Sequence, residues 1–180
     1  MNGITHRLFP KGLLLNMAVS LSLFLLLVGC TVSYKLNGSS IDYATTKTIQ
    51  LDDFPLRSAY VWSPMHSMFN NELSDVYARQ TKLRQVKRNG DLQLSGEITE
   101  YSQYNKSVAA DGYSSQTQLK MTVNVRFVNN KKHSDDFERA FSATADYDSS
   151  QQLNAVQEDL VTQMIKDIVD QIFNATVANW

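Results

Sequence analysis

Cysteine is nearly absent: one residue, Cys30, in a chain of 180. An intrachain disulfide framework is therefore excluded. Histidine is almost as scarce. His66 and His133 are the two beyond Cys30, and neither has a cysteine or histidine at zinc-ligand spacing, so both read as solvated side chains. Gly38, Gly90, Gly96 and Gly112 stand alone and build no phosphate-cradling loop. No G-x-S-x-G elbow is present either. These absences leave no catalytic constellation and no cofactor site, and an enzyme is not expected. Basic excess is missing too: 17 Lys and Arg face 18 Asp and Glu, which argues against a nucleic-acid binder. Beyond the N-terminal region proline occurs only as Pro55 and Pro64, both in one link, which suits a single domain. The run Asp146-Tyr147-Asp148-Ser149-Ser150 opens like a calcium loop. Gln151 replaces its turn glycine, however, and Gln157 its closing glutamate. Acids ahead of a helix N-terminus explain that run better.

The longest apolar run is Leu13 to Val28, interrupted by Asn16, Ser20 and Ser22 and preceded by Arg7 and Lys11. A basic start and a compact apolar stretch describe a secretory signal peptide, and the run is shorter than the roughly 20 residues a membrane-spanning helix needs. It ends in Leu27-Val28-Gly29-Cys30, which resembles a bacterial lipobox. A thiol can carry a diacylglyceryl thioether, and small Gly29 lets a peptidase approach the next bond. The alternatives are an uncleaved anchor and a buried structural cysteine acting as a small hydrophobe. The polar turn of composition directly after Cys30 speaks against both. The expected organisation is a signal peptide over residues 1–29 and one domain over residues 30–180, lipid-anchored at Cys30. Without Arg7 and Lys11, 15 basic residues face 18 acids, a formal charge of −3. Acyl chains contribute about 0.8 kcal/mol per buried methylene, and more than one chain makes anchoring stable. Thr31-Val32-Ser33 contains no acid, which by resemblance to sorting signals points to the outer membrane, facing the periplasm.

Periodicity then predicts short strands at Val32–Leu36 and Lys47–Leu51, separated by a Gly38-Ser39-Ser40 turn, and an irregular link from Phe54 to Trp62. Ser63-Pro64 reads as a helix start, with Met65, Met68, Phe69, Leu73, Val76 and Tyr77 at helical spacing to about Lys82. Asn89-Gly90-Asp91 is a turn. Leu92, Leu94 and Ile98 mark a half-buried strand to about Tyr104, followed by a polar loop from Asn105 to Ser115. Leu119, Met121, Val123, Val125 and Phe127 alternate with polar residues in the cleanest strand pattern of the chain. After a turn at Asn129–Lys132, a third long strand runs from Phe137 to Tyr147. Ser149, three residues ahead of Gln152, offers a capping box before a helix striped by Leu153, Val156, Leu160, Met164, Ile165, Ile168, Ile172 and Phe173. Single-faced strands and striped helices together imply an α+β two-layer sandwich, with two helices on one face of an antiparallel or mixed sheet.

Two features could serve binding. Lys82, Arg84, Lys87 and Arg88 precede the Asn89-Gly90 turn, and Lys131-Lys132 occupy the later strand turn. The plain explanation is a solvated charged edge; the sharper one is an anionic headgroup held by charge-assisted bonds. Tyr101, Tyr104 and Tyr113 suit an interface or could cover the sheet edge.

A set of short stretches carries a resemblance over essentially the whole chain. After the lipobox come Tyr34-Lys35-Leu36-Asn37-Gly38-Ser39-Ser40-Ile41 and Phe54-Pro55-Leu56-Arg57. Then come Gly90-Asp91-Leu92-Gln93-Leu94-Ser95-Gly96-Glu97-Ile98-Thr99-Glu100-Tyr101, Asp135-Asp136-Phe137-Glu138 and the Asp146–Ser150 run. The chain closes on Ile172-Phe173-Asn174-Ala175-Thr176-Val177-Ala178-Asn179-Trp180. In this order they resemble the lipopolysaccharide-assembly lipoprotein family LptE in its Bacteroidetes form. That resemblance implies a non-enzymatic protein that sits in the lumen of the outer-membrane β-barrel LptD, helps it assemble, plugs it and assists lipopolysaccharide insertion. It also implies two helices against a sheet. Arg84, Lys87, Arg88, Lys131 and Lys132 are then candidate lipopolysaccharide contacts, by charge and turn placement. The competing expectation is an outer-membrane lipoprotein that activates a periplasmic enzyme or braces a secretion complex. Such proteins usually need a long tether, whereas structure here is predicted to begin near Val32.

Overall fold

The strand Ser114–Asn129 (β4) sets the architecture. Leu119, Met121, Val123, Val125 and Phe127 are all buried, with Thr117 continuing the row, so one face of the strand must be covered while the other stays wet. The computed structural model describes residues 41–108 and 114–177. The lipobox with Cys30, the strand expected at Val32–Leu36, the Gly38-Ser39-Ser40 turn, Gly112 and Tyr113 lie outside the described residues. Around β4 the other elements are, in chain order, β1 (Thr48–Leu51), α1 (Pro64–Gln80), β2 (Arg84–Val86), β3 (Leu92–Val108), a 3-10 turn (His133–Asp135), β5 (Phe137–Asp148) and α2 (Leu153–Thr176). The strands make one open five-stranded mixed sheet in the order β2-β1-β3-β4-β5. β3, β4 and β5 pair antiparallel, and β1 pairs parallel with both β2 and β3. The fold is α+β.

The helices cover the dry face. From α2, Val161, Met164, Ile165, Ile168, Val169 and Ile172 are buried, and the helix lies against β5, β4 and α1. Val161 and Val169 widen the stripe expected from the sequence, while Leu153, Val156, Leu160 and Phe173 sit at its half-buried margin. From α1, Met65, Phe69, Leu73, Val76 and Tyr77 are buried, and Phe69 meets Phe54 of the preceding link with ring centroids 5.3 Å apart. The Tyr77 hydroxyl is hydrogen-bonded to Thr176 Oγ1, which brings the C-terminal ends of the two helices together. Burial pushes the Tyr77 phenol well above its ordinary pKa, so it stays neutral in the core.

Four local expectations need correction. β3 runs past Tyr104 to Val108 and β4 begins at Ser114, so most of the polar segment read as a loop continues the hairpin ladder. Backbone pairing carries it where no apolar alternation exists, with register shifts near Ser107. Arg84–Val86 forms an edge strand that no hydrophobic alternation announces. It is held through its register with β1 and by paired hydrogen bonds between the Gln85 amide and Ser74 of α1, at 2.9 and 2.7 Å. The capping box is not formed: Gln152 is the N-cap residue of α2 and makes no side-chain capping bond. Ser149 Oγ lies 2.9 Å from Thr117 Oγ1 instead. Asp148 folds the turn by accepting bonds from the Ser150 amide and hydroxyl at 2.8 and 2.6 Å.

The fourth correction concerns parity. Ile98 pairs with Val123 but Glu100 pairs with Thr122, a β-bulge at Thr99. One inserted residue exchanges the faces of everything beyond it. Before the bulge, Leu92, Leu94 and Ile98 face the core; after it, Tyr101 does, only 3% exposed. Tyr101 is therefore a core residue whose hydroxyl accepts a bond from buried Gln157 at 2.9 Å. Tyr104 is the one that reaches solvent.

Gly96 precedes the bulge at a point of close approach. A Cβ there would lie 2.1 Å from the Asn124 carbonyl oxygen and 2.5 Å from the Phe54 ring. Gly96→Ala is expected to lower stability by about 1–3 kcal/mol, the usual range for overpacking, read as a fall in the midpoint of chemical unfolding.

Candidate functional site

Two turns meet at the end of the sheet where the helix C-termini lie. In the first, Asn89 adopts a left-handed φ of 55°, which asparagine tolerates better than most residues. Gly90 follows where a Cβ would sit 2.5 Å from both the Gln50 nitrogen and the Leu92 oxygen. In the second, Asn130 donates its side-chain amide to the Gly90 carbonyl at 2.8 Å and its backbone N–H to the Asp91 carbonyl at 2.9 Å. Turn chemistry thus joins the segment that follows Lys87 and Arg88, at Gly90 and Asp91, to the turn that carries Lys131 and Lys132. Arg84 stands on the edge strand β2, with β1 and β3 between it and β4.

Asp91 organises this end. One carboxylate oxygen accepts the Lys47 amide at 2.9 Å, the Thr48 amide at 3.1 Å and the Thr48 hydroxyl at 2.9 Å. The other meets the Lys131 ammonium at 2.9 Å. Lys131, followed by the Lys47 amide, holds the carboxyl far below the usual carboxylate range. Lys132 pairs in turn with Asp135 at 2.6 Å, and His133 with Asp136 at 3.0 Å.

The five sequence-predicted basic residues therefore divide. Lys131 and Lys132 are exposed but already matched to carboxylates of their own chain. Arg84, Lys87 and Arg88 are exposed and form no ion pair among the described residues. A cleft of about 290 Å³ opens between the second turn and the segment before β1, lined by Asp42, Thr45, Asn129, Lys131 and Lys132 among others. His66 is bonded to Asp53 at 3.0 Å. Among the described residues no group of three or more His, Cys, Asp and Glu could hold a metal ion.

The second feature is the wet face of the sheet, where no helix lies among the described residues. Glu100, turned outward by the bulge, accepts bonds from the Ser102 and Tyr104 hydroxyls at 2.8 and 2.7 Å. It also accepts the Thr122 hydroxyl at 2.8 Å and meets the Lys120 ammonium at 2.9 Å. Thr122 reaches on to Ser142 of β5 at 2.9 Å, and Gln118 donates to Asp146 at 2.8 Å. The result is a polar, cross-linked surface suited to binding by hydrogen bonds rather than by apolar burial. Sequence reasoning missed both carboxylates. Asp91 lay hidden in a turn signal, and the role of Glu100 depends on a bulge.

The class defined by this geometry is an α+β fold with an open mixed sheet, two helices on one face and a polar opposite face. The family described as LptE: Lipopolysaccharide-assembly matches residues 46–176, and the chain belongs to that family. A search among curated proteins returns no match. Among solved structures, the hypothetical protein CT253 of Chlamydia trachomatis is 10% identical at a TM-score of 0.50, with 72% of this chain and 97% of that one covered. The rare lipoprotein B of Shewanella oneidensis is 18% identical at 0.49, covering 70% and 92%. A minor lipoprotein of Acinetobacter baumannii is 15% identical at 0.46, covering 71% and 89%. At 10% identity the Chlamydia likeness speaks to the fold alone.

The Glu100 network has a pH signature. Lys120, then Tyr104, pulls the Glu100 carboxyl from its ordinary 4.5 down to about 2. Between those values the unfolded chain binds the proton and the folded chain does not, so this contribution to stability is complete above 4.5 and is lost as pH falls towards 2. Glu100→Gln is expected to flatten that part of the stability–pH curve, measured by unfolding midpoints across the range. An unchanged slope would show that Glu100 is not held in this way.

Proposed function

We propose that this chain is an outer-membrane lipoprotein, anchored through an acylated Cys30 and facing the periplasm, that assembles with and plugs an LptD-type β-barrel and aids the transport of lipopolysaccharide to the outer leaflet. The observation that carries this reading is the family match across residues 46–176. The wet sheet face supports it, because the interiors of large outer-membrane barrels are polar and a plug must meet them with hydrogen-bonding side chains. The basic end supports the lipid role. Arg84, Lys87 and Arg88 offer charges that no carboxylate of the described chain takes up. Lys131 and Lys132 can add to them by exchanging their carboxylates for phosphates. No catalysis is assigned, and residues 30–180 act as one lipid-anchored domain.

The deciding experiment is an affinity pull-down of the tagged full-length lipoprotein from detergent-solubilised outer membrane. Recovery of a heat-modifiable β-barrel in about equal amount supports the plug. Recovery of a periplasmic enzyme or secretion component in its place overturns it in favour of an activator. Cys30→Ala is expected to move the protein out of the membrane fraction when the barrel is absent; continued sedimentation with the membrane would show that Cys30 is not the anchor.

For the lipid role, reversing Lys87 and Arg88 to glutamate is expected to weaken lipopolysaccharide binding about tenfold or more, the equivalent of one charge-assisted bond. The unfolding midpoint should stay unchanged. Reversal of Lys131 and Lys132 is a harsher test, since it also breaks the Asp91 and Asp135 pairs. Unaltered affinity in a folded Lys87→Glu, Arg88→Glu variant would sink the basic-turn assignment.

A further inference from the structure

One position breaks the alternation of β5. Phe137, Arg139, Phe141, Ala143, Ala145 and Tyr147 all project to the dry side of the sheet, and all but Arg139 are apolar or aromatic. Arg139 pairs in register with buried Val125, yet it is exposed, on the outermost strand. Its guanidinium carbon lies 5.0 Å from the centroid of the Phe137 ring and 4.6 Å from that of Phe141, with the two rings 66° apart. The cation rests in the angle between two aromatic rings and is held there by their quadrupoles. Although acids outnumber bases in the chain, Arg139 forms no ion pair among the described residues. It lines an open cleft of about 460 Å³ between β5 and the last turns of α2, shared with Gln171 and Asn174.

From this arrangement we propose that the Arg139 cleft is an anchor point for a carboxylate side chain of a protein partner, presented by an extended segment lying along the outer edge of β5. The aromatic rings fix the guanidinium before binding, so little rotamer freedom is lost when it is engaged. Its planar fork matches a planar, singly charged carboxylate in bidentate geometry. A phosphate would ask for more positive charge than one arginine flanked by two neutral amides supplies. No strand pairs with the outer edge of β5 among the described residues. The Gln171 amide meets the Ser142 carbonyl at 3.2 Å, which leaves the first residues of the strand as the accessible stretch for strand addition. The identity of the partner as the barrel rests on the plug reading given above.

The test uses the barrel complex purified through the full-length lipoprotein, with a photoreactive benzoylphenylalanine replacing Asn174. The expected result is a cross-link to a barrel peptide that carries Asp or Glu. That cross-link should fall at least about tenfold with Arg139→Glu and be only partly retained with Arg139→Lys, which keeps the charge but not the fork. Four outcomes overturn the proposal while leaving the plug intact, because the barrel is still recovered. They are a cross-link to lipopolysaccharide, a cross-link to a second copy of the chain, no cross-link, and a cross-link indifferent to Arg139→Glu. Self-association of folded Arg139 variants with undiminished barrel recovery would assign Arg139 to guarding the strand edge instead, which also overturns it. Absence of the barrel from the wild-type preparation overturns both readings.

Discussion

The one-sidedness of the central hairpin and β5 is the constraint on which the rest of the molecule depends. Once alternate residues of β3, β4 and β5 are committed to the dry side, an apolar surface exists that water cannot be allowed to reach. Only elements with a continuous apolar stripe can cover it. α2 supplies the larger share over β4 and β5, and α1, tied to it through Tyr77 and Thr176, lies alongside. The opposite face then has to be polar. It is not a loose collection of side chains, because the Thr99 bulge delivers Glu100 to that face, where four side chains of β3 and β4 converge on it. A single backbone irregularity therefore sends Tyr101 into the core and raises the organising carboxylate of the exposed face.

A second carboxylate does comparable work at the basic end. Asp91 joins β1, the start of β3 and the turn after β4 through the Lys47 and Thr48 amides and the Lys131 ammonium. β1 has only four residues and its neighbour β2 only three, too few for ladder bonds and apolar burial to hold that edge firmly. The low pKa of Asp91 keeps it ionised wherever the protein is folded at ordinary pH. The cost of gathering Lys131 and Lys132 at one end is thereby offset by the Asp91 and Asp135 carboxylates, and by the nearby C-terminus of α2, whose partial negative charge favours cations.

How much of this was legible from sequence follows from which interactions are local. β4, β5 and α2 announce themselves through period, since each buries one face against whatever is opposite. The 89–91 turn is legible because Asn and Gly supply the backbone conformation it needs. What failed depends on partners distant in sequence. Arg84-Gln85-Val86 becomes a strand because β1 and Ser74 receive it, and residues 105–108 stay in the ladder because β4 pairs with them. Ser149 gave up its expected capping role because Thr117 lies within reach. Tyr101 and Glu100 exchanged faces because a bulge carries no compositional mark. Of the candidate site, the basic turns were legible as charges in turns. Their division into matched and unmatched cations was not, since it is decided by Asp91 and Asp135 across the fold. Arg139 was least visible of all, because a charged residue on a strand ordinarily belongs to the wet face.

That division of cations bears on function more directly than their number does. An exposed ion pair within one chain is worth little in stability, and a partner that takes up one half of it must first displace the other. Lys131 and Lys132 are in that position, so they favour ligands that bring enough negative charge to compete, as clustered phosphates do. Arg84, Lys87 and Arg88 form no ion pair among the described residues, so in the proposed lipid role they need no displacement. Arg139 differs from both groups: it is single, pre-positioned by two aromatic rings and set against an open strand edge. A protein with more acids than bases could have neutralised it internally. On the two proposed readings, one small scaffold would carry two recognition points, a multiply charged ligand at the end of the sheet and a single carboxylate at its edge.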